Sequence, residues 1–261
     1  LAAFALTMKA RARQRRFFNK GVEPNITVLE KVIFSSEELD EYMGFVGRDL
    51  FIYGLRETLQ QFSEVDNFGS LIVPKVANVT DVLATLESKD MSSNLFLAET
   101  HKKVLSVLHM SEALSPRYAV VVANPPYMGG KGMNPRLSTW AKEKFPSSKS
   151  DLFAMFIERN LDLTVKGGAV AMITMQSWMF LSSFESLRSR ILNQHTILSM
   201  AHLGARAFDS IGGEVVSTTA FVLENAHKPD YRGAYMRLVD GNSEAEKMEM
   251  MAKAIVQGRV A

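Results

Sequence analysis

A short apolar run, Tyr118-Ala-Val-Val-Val-Ala123, lies between two stretches of helical periodicity and ends on Asn124-Pro125-Pro126-Tyr127. Such a β-branched run is the pattern of a strand buried on both faces of a parallel sheet, because the crossover helices cover both sides. A second buried strand is expected over Ala169 to Thr174. It follows a helix from Asp151 to Val165 that Lys166-Gly167-Gly168 closes, the glycines supplying its left-handed end. Glu185 to Asn193 is predicted helical. Ile197 to Leu203 and Val215 to Leu223 are predicted strands, separated by a Gly212-Gly213 turn. Strands alternating with helices define an α/β chain with a doubly wound sheet. Its 261 residues, 47% of them apolar, suffice for one large α/β domain or two small ones.

Upstream the patterns are helical and less specific. Leu1, Phe4, Ala5, Met8 and Ala12 recur at helical intervals, followed by Lys9, Arg11, Arg13, Arg15 and Arg16, so residues 1–18 are expected to form an amphipathic helix with a basic end. A solvated face with cations near a helix C-terminus is a simpler account of that end than a DNA contact. After Pro24, the β-branched run from Asn25 to Phe34 predicts a strand. Residues 35–66 hold eight acids and two bases, with helical spacing from Leu50 to Phe62, and read as an acidic surface insert without chemistry of its own. Val79 to His109 is helical, with a break near Asp90-Met-Ser-Ser. After Asn225 the chain turns polar, and Asn242 to Gln257 reads as one capped helix packing elsewhere.

Composition removes several function classes. The absence of cysteine excludes disulfides, thiolate zinc sites and cysteine nucleophiles, and fits a reducing compartment, the cytoplasm. His101, His109, His195, His202 and His227 show no ligand spacing with acids, so no metal is expected, and they are assigned to the surface or to strand ends. The longest apolar stretch, Ala169 to Leu181, is about 13 residues and is interrupted by Thr174, Gln176 and Ser177. A membrane span needs about 18 or more, so no membrane partner is expected. A net charge of +2 permits a polyanionic partner without demanding one. The opening Leu1 is not Met, and its basic cluster follows the apolar run, the reverse of a signal peptide; Leu1 reads as an internal position of a longer protein.

Asn124-Pro-Pro-Tyr127 stands at the carboxyl end of the first strand, where open α/β sheets bind their ligands. Two prolines lock the backbone, remove two donors and leave their carbonyls as acceptors. Asn124 adds a side-chain carbonyl and Tyr127 a flat aromatic face. That set suits a planar amino group. An adenine N6 is a poor nucleophile because its lone pair is delocalised into the ring, and two acceptors gripping its hydrogens favour the pyramidal form found on the way to attack. The plainer account of Pro-Pro, a rigid exit from a strand, leaves the flanking Asn and Tyr unexplained.

This arrangement resembles the signature of S-adenosylmethionine-dependent amino-methyltransferases, and later segments resemble the gamma-class adenine-N6 DNA enzymes. Lys149-Ser-Asp151-Leu-Phe153 is similar to the segment opening the helix after the catalytic loop. Lys166 to Thr174, then Trp178, is similar to the next strand and its exit. Leu203-Gly-Ala-Arg-Ala-Phe208 followed by Val215 to Leu223 is similar to the base-packing segment and the final hairpin strand. Ala2 to Arg13, Phe68-Gly-Ser-Leu-Ile72 and Asn124 to Asn134 narrow the likeness to the large methyltransferases of BREX (phage growth limitation type) defence systems. The resemblance covers roughly residues 1–225.

The resemblance implies an incomplete Rossmann-like methyltransferase fold, mostly parallel with a C-terminal antiparallel hairpin and with its first two strands missing. Residues 1–225 would be a partial catalytic domain, with a helical insert over 35–110 and the catalytic-loop half over 118–223; residues 226–261 would be a linker or the start of another domain. Asn124, Pro125, Pro126 and Tyr127 would be catalytic, Asn124 and the Pro125 carbonyl holding N6 and Tyr127 stacking on the extruded base. Phe208, Asp151, Phe153 and Lys131 would bind substrate. Asp151 and Leu152 would touch the cofactor, S-adenosylmethionine, although Asp151 serves equally as a helix cap and Phe208 equally as core. The implied partners are double-stranded DNA and other defence-system proteins.

The family's Gly-rich cofactor loop does not occur in these residues. Gly129-Gly-Lys-Gly132 follows the wrong strand end and lacks the P-loop Ser or Thr. The resemblance places that loop, and the acid for the cofactor ribose, before Leu1, and a target-recognition domain after Ala261. The segment Met128 to Lys149 carries five bases and one acid, with Trp140 and Phe145, and reads either as a phosphate-facing loop or as a mobile loop over the pocket. Two other readings stay open: an amino-methyltransferase acting on RNA or a protein glutamine, and a non-catalytic DNA- or protein-binding module.

Overall fold

Capped helices account for the first of two units into which the chain divides, Leu1–Ser115 and Pro116–Ala261. The computed structural model describes residues 1–47, 53–91, 95–116, 118–208 and 216–258. In the first unit run α1 (Ala2–Arg13), α2 (Ser36–Val46), α3 (Leu55–Gln61), α4 (Val65–Phe68), α5 (Val79–Glu87) and α6 (Leu95–Ala113). Ser35 and Glu38 form a reciprocal capping box at α2, and Asn78 caps α5. The start of the predicted helical spacing at Leu50 lies outside the described residues.

Three expectations for this unit are corrected. The acidic segment is not a surface insert alone, because Leu39, Tyr42, Leu55, Leu59 and Phe62 are buried core residues. The predicted strand over residues 25–34 joins no ladder among the described residues, its backbone tied at Val32, whose N–H donates to Phe62 O at 3.2 Å. A β-branched run becomes a strand only where another strand supplies hydrogen-bonding partners. His101 is buried rather than surface-exposed, with Nδ1 2.7 Å from the Tyr42 hydroxyl. The helix expected over residues 1–18 is met only in part: α1 ends at Arg13, the chain breaks at Gln14 and resumes as a 3-10 turn at Phe17–Lys20, and α1 buries none of its side chains.

The second unit is built on a five-stranded sheet of order β1-β2-β4-β3-β5: β1 (Tyr118–Ala123), β2 (Thr164–Met175), β3 (Thr196–Gly204), β4 (Thr218–Glu224) and β5 (Ala234–Arg237). β4 runs antiparallel between β2 and β3, while β1–β2 and β3–β5 pair in parallel, so four strands point one way. Their carboxyl ends, together with the amino end of β4, share one edge of the sheet. Helices α7 (Pro135–Lys144), α8 (Leu152–Leu163), α9 (Glu185–Gln194) and α10 (Glu244–Val256) complete the unit. Phe153, Ile157 and Leu161 of α8 and Leu187 and Ile191 of α9 pack with Val170, Met172, Phe221 and Leu223 into the core on one sheet face.

β1 is not buried on both faces. It pairs only with β2 in the described sheet, and Val120 and Val122 are 59% and 75% exposed while Val121 and Ala123 face the core. Helix α8 stops at Leu163, before the glycines. Gly167, at φ +78°, turns the irregular start of β2 instead, and Gly168 sits where a Cβ would stand 2.7 Å from the Ala119 carbonyl. Pairing therefore resumes as Val120↔Ala169 after Tyr118↔Thr164. The Met128 to Lys149 segment contains α7, capped by Asn134 with Pro135 at its first position. Helix α10 is tied to this sheet through Lys247, whose Nζ donates to the carbonyls of Leu203 and Leu238 at 2.7 and 2.9 Å. The predicted Gly212-Gly213 turn lies outside the described residues.

Candidate active site

The parallel pairing of β1 with β2 carries Asn124-Pro-Pro-Tyr127 off the sheet beside the carboxyl end of β2. Pro125 is buried and Tyr127 half-buried, while Asn124 and Pro126 are exposed, so the backbone is held and the amide is presented to solvent. The Tyr127 hydroxyl lies 3.3 Å from both Asn124 Oδ1 and the Ile173 carbonyl, and donates its single proton between them. Burial pushes the phenol above its ordinary value, so it remains a neutral donor. Beneath it, fully buried Phe153 meets the Tyr127 ring edge-on at 6.3 Å and packs at a tilt against Phe184 at 5.7 Å. Phe153 thus acts on this edge through Tyr127, whose plane it fixes.

Asp151 ties the loop to α8. Its Oδ1 accepts from the backbone N–H of Met128 at 3.0 Å and of Phe153 at 3.2 Å, one contact holding the loop and the other capping the helix. Leu152 N–H donates to the Met128 carbonyl at 3.1 Å, and Gly130 N–H to the Ser150 carbonyl at 3.2 Å, so the loop returns as a short bridge to the helix start. Burial raises the Asp151 carboxyl despite backbone donors at Phe153, Met128 and Leu152 that favour its charge. Lys131 stands exposed on the same loop, and Leu152 is buried at the first position of α8. Phe208 is half-buried beyond the end of β3, on the same sheet edge.

Other residues of this edge carry no local signal that singles them out. His202 Nε2 is 2.5 Å from Gln176 Oε1, and the Phe180 ring lies 5.7 Å from the imidazole. Burial, with Arg237 and Lys247 nearby, pushes the His202 imidazole down, so it is neutral near pH 7. Arg206, following β3, holds a left-handed φ of 58°, a conformation rare for a residue with a Cβ. Lys247 is buried over forty residues from the carbonyl of Leu203 that it fixes, a pairing that no sequence spacing discloses.

On the sheet face opposite α8 and α9, a concave patch of about 450 Å³ runs from Asn124 to Met251. Its lining contains no carboxylate, and only Asn124 and Ser199 bring polar side chains to it. S-adenosylmethionine carries a ribose diol, an ammonium and a carboxylate, so the lining residues do not fit it. No group of three or more metal-ligating side chains occurs among the described residues, and no described helix is long and apolar enough to cross a membrane.

Comparison with known proteins places the chain in a family. The family of the Eco57I restriction-modification methylase matches residues 25–208. The chain is 40% identical over 275 aligned residues to the adenine-specific methyltransferase BrxX of Escherichia coli O9:H4 (strain HS), covering 96% of this chain and 23% of that protein. It is 37% identical over 262 residues to the adenine-specific methyltransferase PglX of Lacticaseibacillus casei (strain Zhang), covering 98% of this chain and 22% of that protein. The chain thus spans less than a quarter of the length of these curated relatives. A nuclease-deletion mutant of the Type ISP restriction-modification enzyme LlaGI, solved with a DNA substrate mimic, overlaps 66% of this chain and 16% of its own at a TM-score of 0.45 and 16% identity.

Proposed function

The chain belongs to the Eco57I restriction-modification methylase family, and from that premise we propose that it holds the target base in a DNA adenine-N6 methyltransferase of the BREX phage-defence type. The observation that carries the reading is the exposed Asn124 amide, fixed by a buried Pro125 and by Tyr127 at the carboxyl end of β1. Asn124 Oδ1 and the Pro125 carbonyl accept the two N6 hydrogens and favour the pyramidal amine, whose lone pair is then free to attack. Tyr127, braced by Phe153, stacks on the adenine. Phe208 is the second wall.

Asp151 holds this loop to α8, and Leu152 closes the pocket beside it. The adenine reaches the site by leaving the duplex, because its N6 is otherwise paired and stacked. Lys131 and the cations of α7 face the phosphates of that duplex. The proposed methyl donor is S-adenosylmethionine, held by residues outside the apolar patch described above. The amine loses its proton after transfer, so no strong general base is required, and alignment carries the rate.

The test is incorporation of labelled methyl from S-adenosylmethionine into unmethylated DNA by the full-length protein that carries this sequence, beside Asn124→Ala, with and without the other proteins of its defence system. Label in adenine that disappears in the variant is the expected result. Label in RNA or in protein glutamine, with none in DNA, overturns the substrate assignment. A folded protein that binds neither cofactor nor DNA overturns the enzymatic one.

A further inference from the structure

Immediately after β2, two large apolar side chains point into solvent from a rigidly held backbone. Phe180 and Leu181 are 60% and 53% exposed. Their turn is nevertheless pinned on both sides. Arg188 Nη1, from α9, donates to the carbonyls of Trp178 and Leu181 at 2.7 and 2.6 Å, and the N–H groups of Phe180 and Leu181 both donate to the Ser177 carbonyl. Trp178 anchors the turn in the core, where its ring meets Phe221 at 5.2 Å. One side of Phe180 is backed by the His202 imidazole, itself held by Gln176. Exposed apolar side chains are common on protein surfaces, and most need no explanation. Here a guanidinium and two backbone bonds hold the tip still.

The tip lies on the carboxyl edge of the sheet, the edge that also presents Asn124 and Tyr127. We propose that Phe180 and Leu181 form an apolar wedge that enters the base stack of duplex DNA beside the target adenine and fills the space the extruded base leaves. The inference rests on the adenine-methyltransferase reading and adds to it the residues that lower the cost of extrusion. Phe and Leu are the side-chain types that separate stacked bases in bent or opened duplexes, since they offer apolar surface to base faces without needing hydrogen-bond partners. A wedge must also resist the stack it enters. The clamp from Arg188 and the backing by His202 supply that stiffness.

The test uses the full-length protein, the double variant Phe180→Ala/Leu181→Ala, and two duplexes of a sequence the protein methylates. One is fully paired. The other has an abasic site opposite the target adenine, which removes its pairing partner and much of the unstacking cost. On the paired duplex the variant is expected to lose about 10- to 100-fold in kcat/KM, the range that a few kcal/mol of unpaid extrusion implies. On the abasic duplex it is expected to approach the wild-type rate. Both side chains are exposed, so the unfolding midpoint should not move, and Asn124→Ala should be inactive on both duplexes.

A wild-type rate on the paired duplex overturns the wedge. Equal loss on both duplexes overturns it too, and assigns the tip to a contact outside the stack, a protein partner included. If the wild-type protein methylates neither duplex nor any other DNA, the underlying reading fails and the wedge fails with it, an outcome distinct from the other two.

Discussion

Replacing Asp151 with alanine tests whether one carboxylate connects the loop after β1 to its supporting helix. The substitution removes the acceptor for two backbone donors, Met128 N–H and Phe153 N–H. Loss of an N-cap costs about 1 kcal/mol, and leaving a further buried donor unpaired costs about 1–3 kcal/mol, giving a destabilisation of about 2–4 kcal/mol. With a urea slope of about 2 kcal/mol per molar, the unfolding midpoint should fall by about 1–2 M. Both tryptophans, Trp140 and Trp178, lie in the same unit as Asp151, so their emission follows its unfolding.

Asp151→Asn keeps an oxygen in place and should lose much less. Its behaviour with pH has a definite sign. Burial raises the folded-state carboxyl above its unfolded value, so the stability it confers is full below the unfolded value and is lost as pH rises through the raised one. Asp151→Asn, which does not titrate, should therefore gain on the wild type between about pH 4 and 7. In the full-length protein, Asp151→Ala should lower kcat by releasing the loop, with amide exchange at Met128 accelerated. If Asp151→Ala shifts the midpoint by less than about 0.3 M, or if Met128 exchange is unchanged, the tether does not hold the loop and the argument fails.

Three further outcomes are expected. Gly168→Ala places a Cβ 2.6 Å from Thr164 Cγ2 and 2.7 Å from the Ala119 carbonyl; it should destabilise by about 1–3 kcal/mol and reduce methyl transfer by displacing β1, and an unchanged midpoint in urea contradicts this. Lys247→Met removes two hydrogen bonds from a buried ammonium; it should lower the thermal midpoint and speed amide exchange in residues 205–208, and exchange that stays at the wild-type rate shows that α10 does not hold the β3 exit. Burial pushes the His101, His195 and His202 imidazoles below their ordinary value. Their contribution to stability is full above the unfolded value and is lost as pH falls through it, so Tm should drop between pH 7.5 and 5.5 and drop less in His101→Gln; equal drops refute the role of His101.

Much of this protein is determined by residues close together in sequence. The β-branched run of β1, the caps at Ser35, Asn78 and Asp151, and the Asn-Pro-Pro-Tyr exit each depend on neighbours within a few positions, and each forms where the pattern puts it. Asn134-Pro135 carried the same kind of information for α7, as a cap followed by proline at the first helical position. Other features depend on partners far away along the chain. Among the described residues, 25–34 have the composition of a strand but no ladder to join, and β1 has apolar residues on both faces but a neighbour on one side.

The candidate site divides in the same way. Asn124, Pro125 and Tyr127 lie within four consecutive positions, so the groups they offer at the end of β1 were legible as a motif. Phe153 beneath Tyr127, His202 against Gln176 and Lys247 on the Leu203 carbonyl were not, because each meets its partner only after the strands have paired. Hydrogen bonding and burial act through space. A sequence shows which groups a residue offers, and only the packed structure decides which of them find partners, which remain exposed, and which edge of the sheet brings them together.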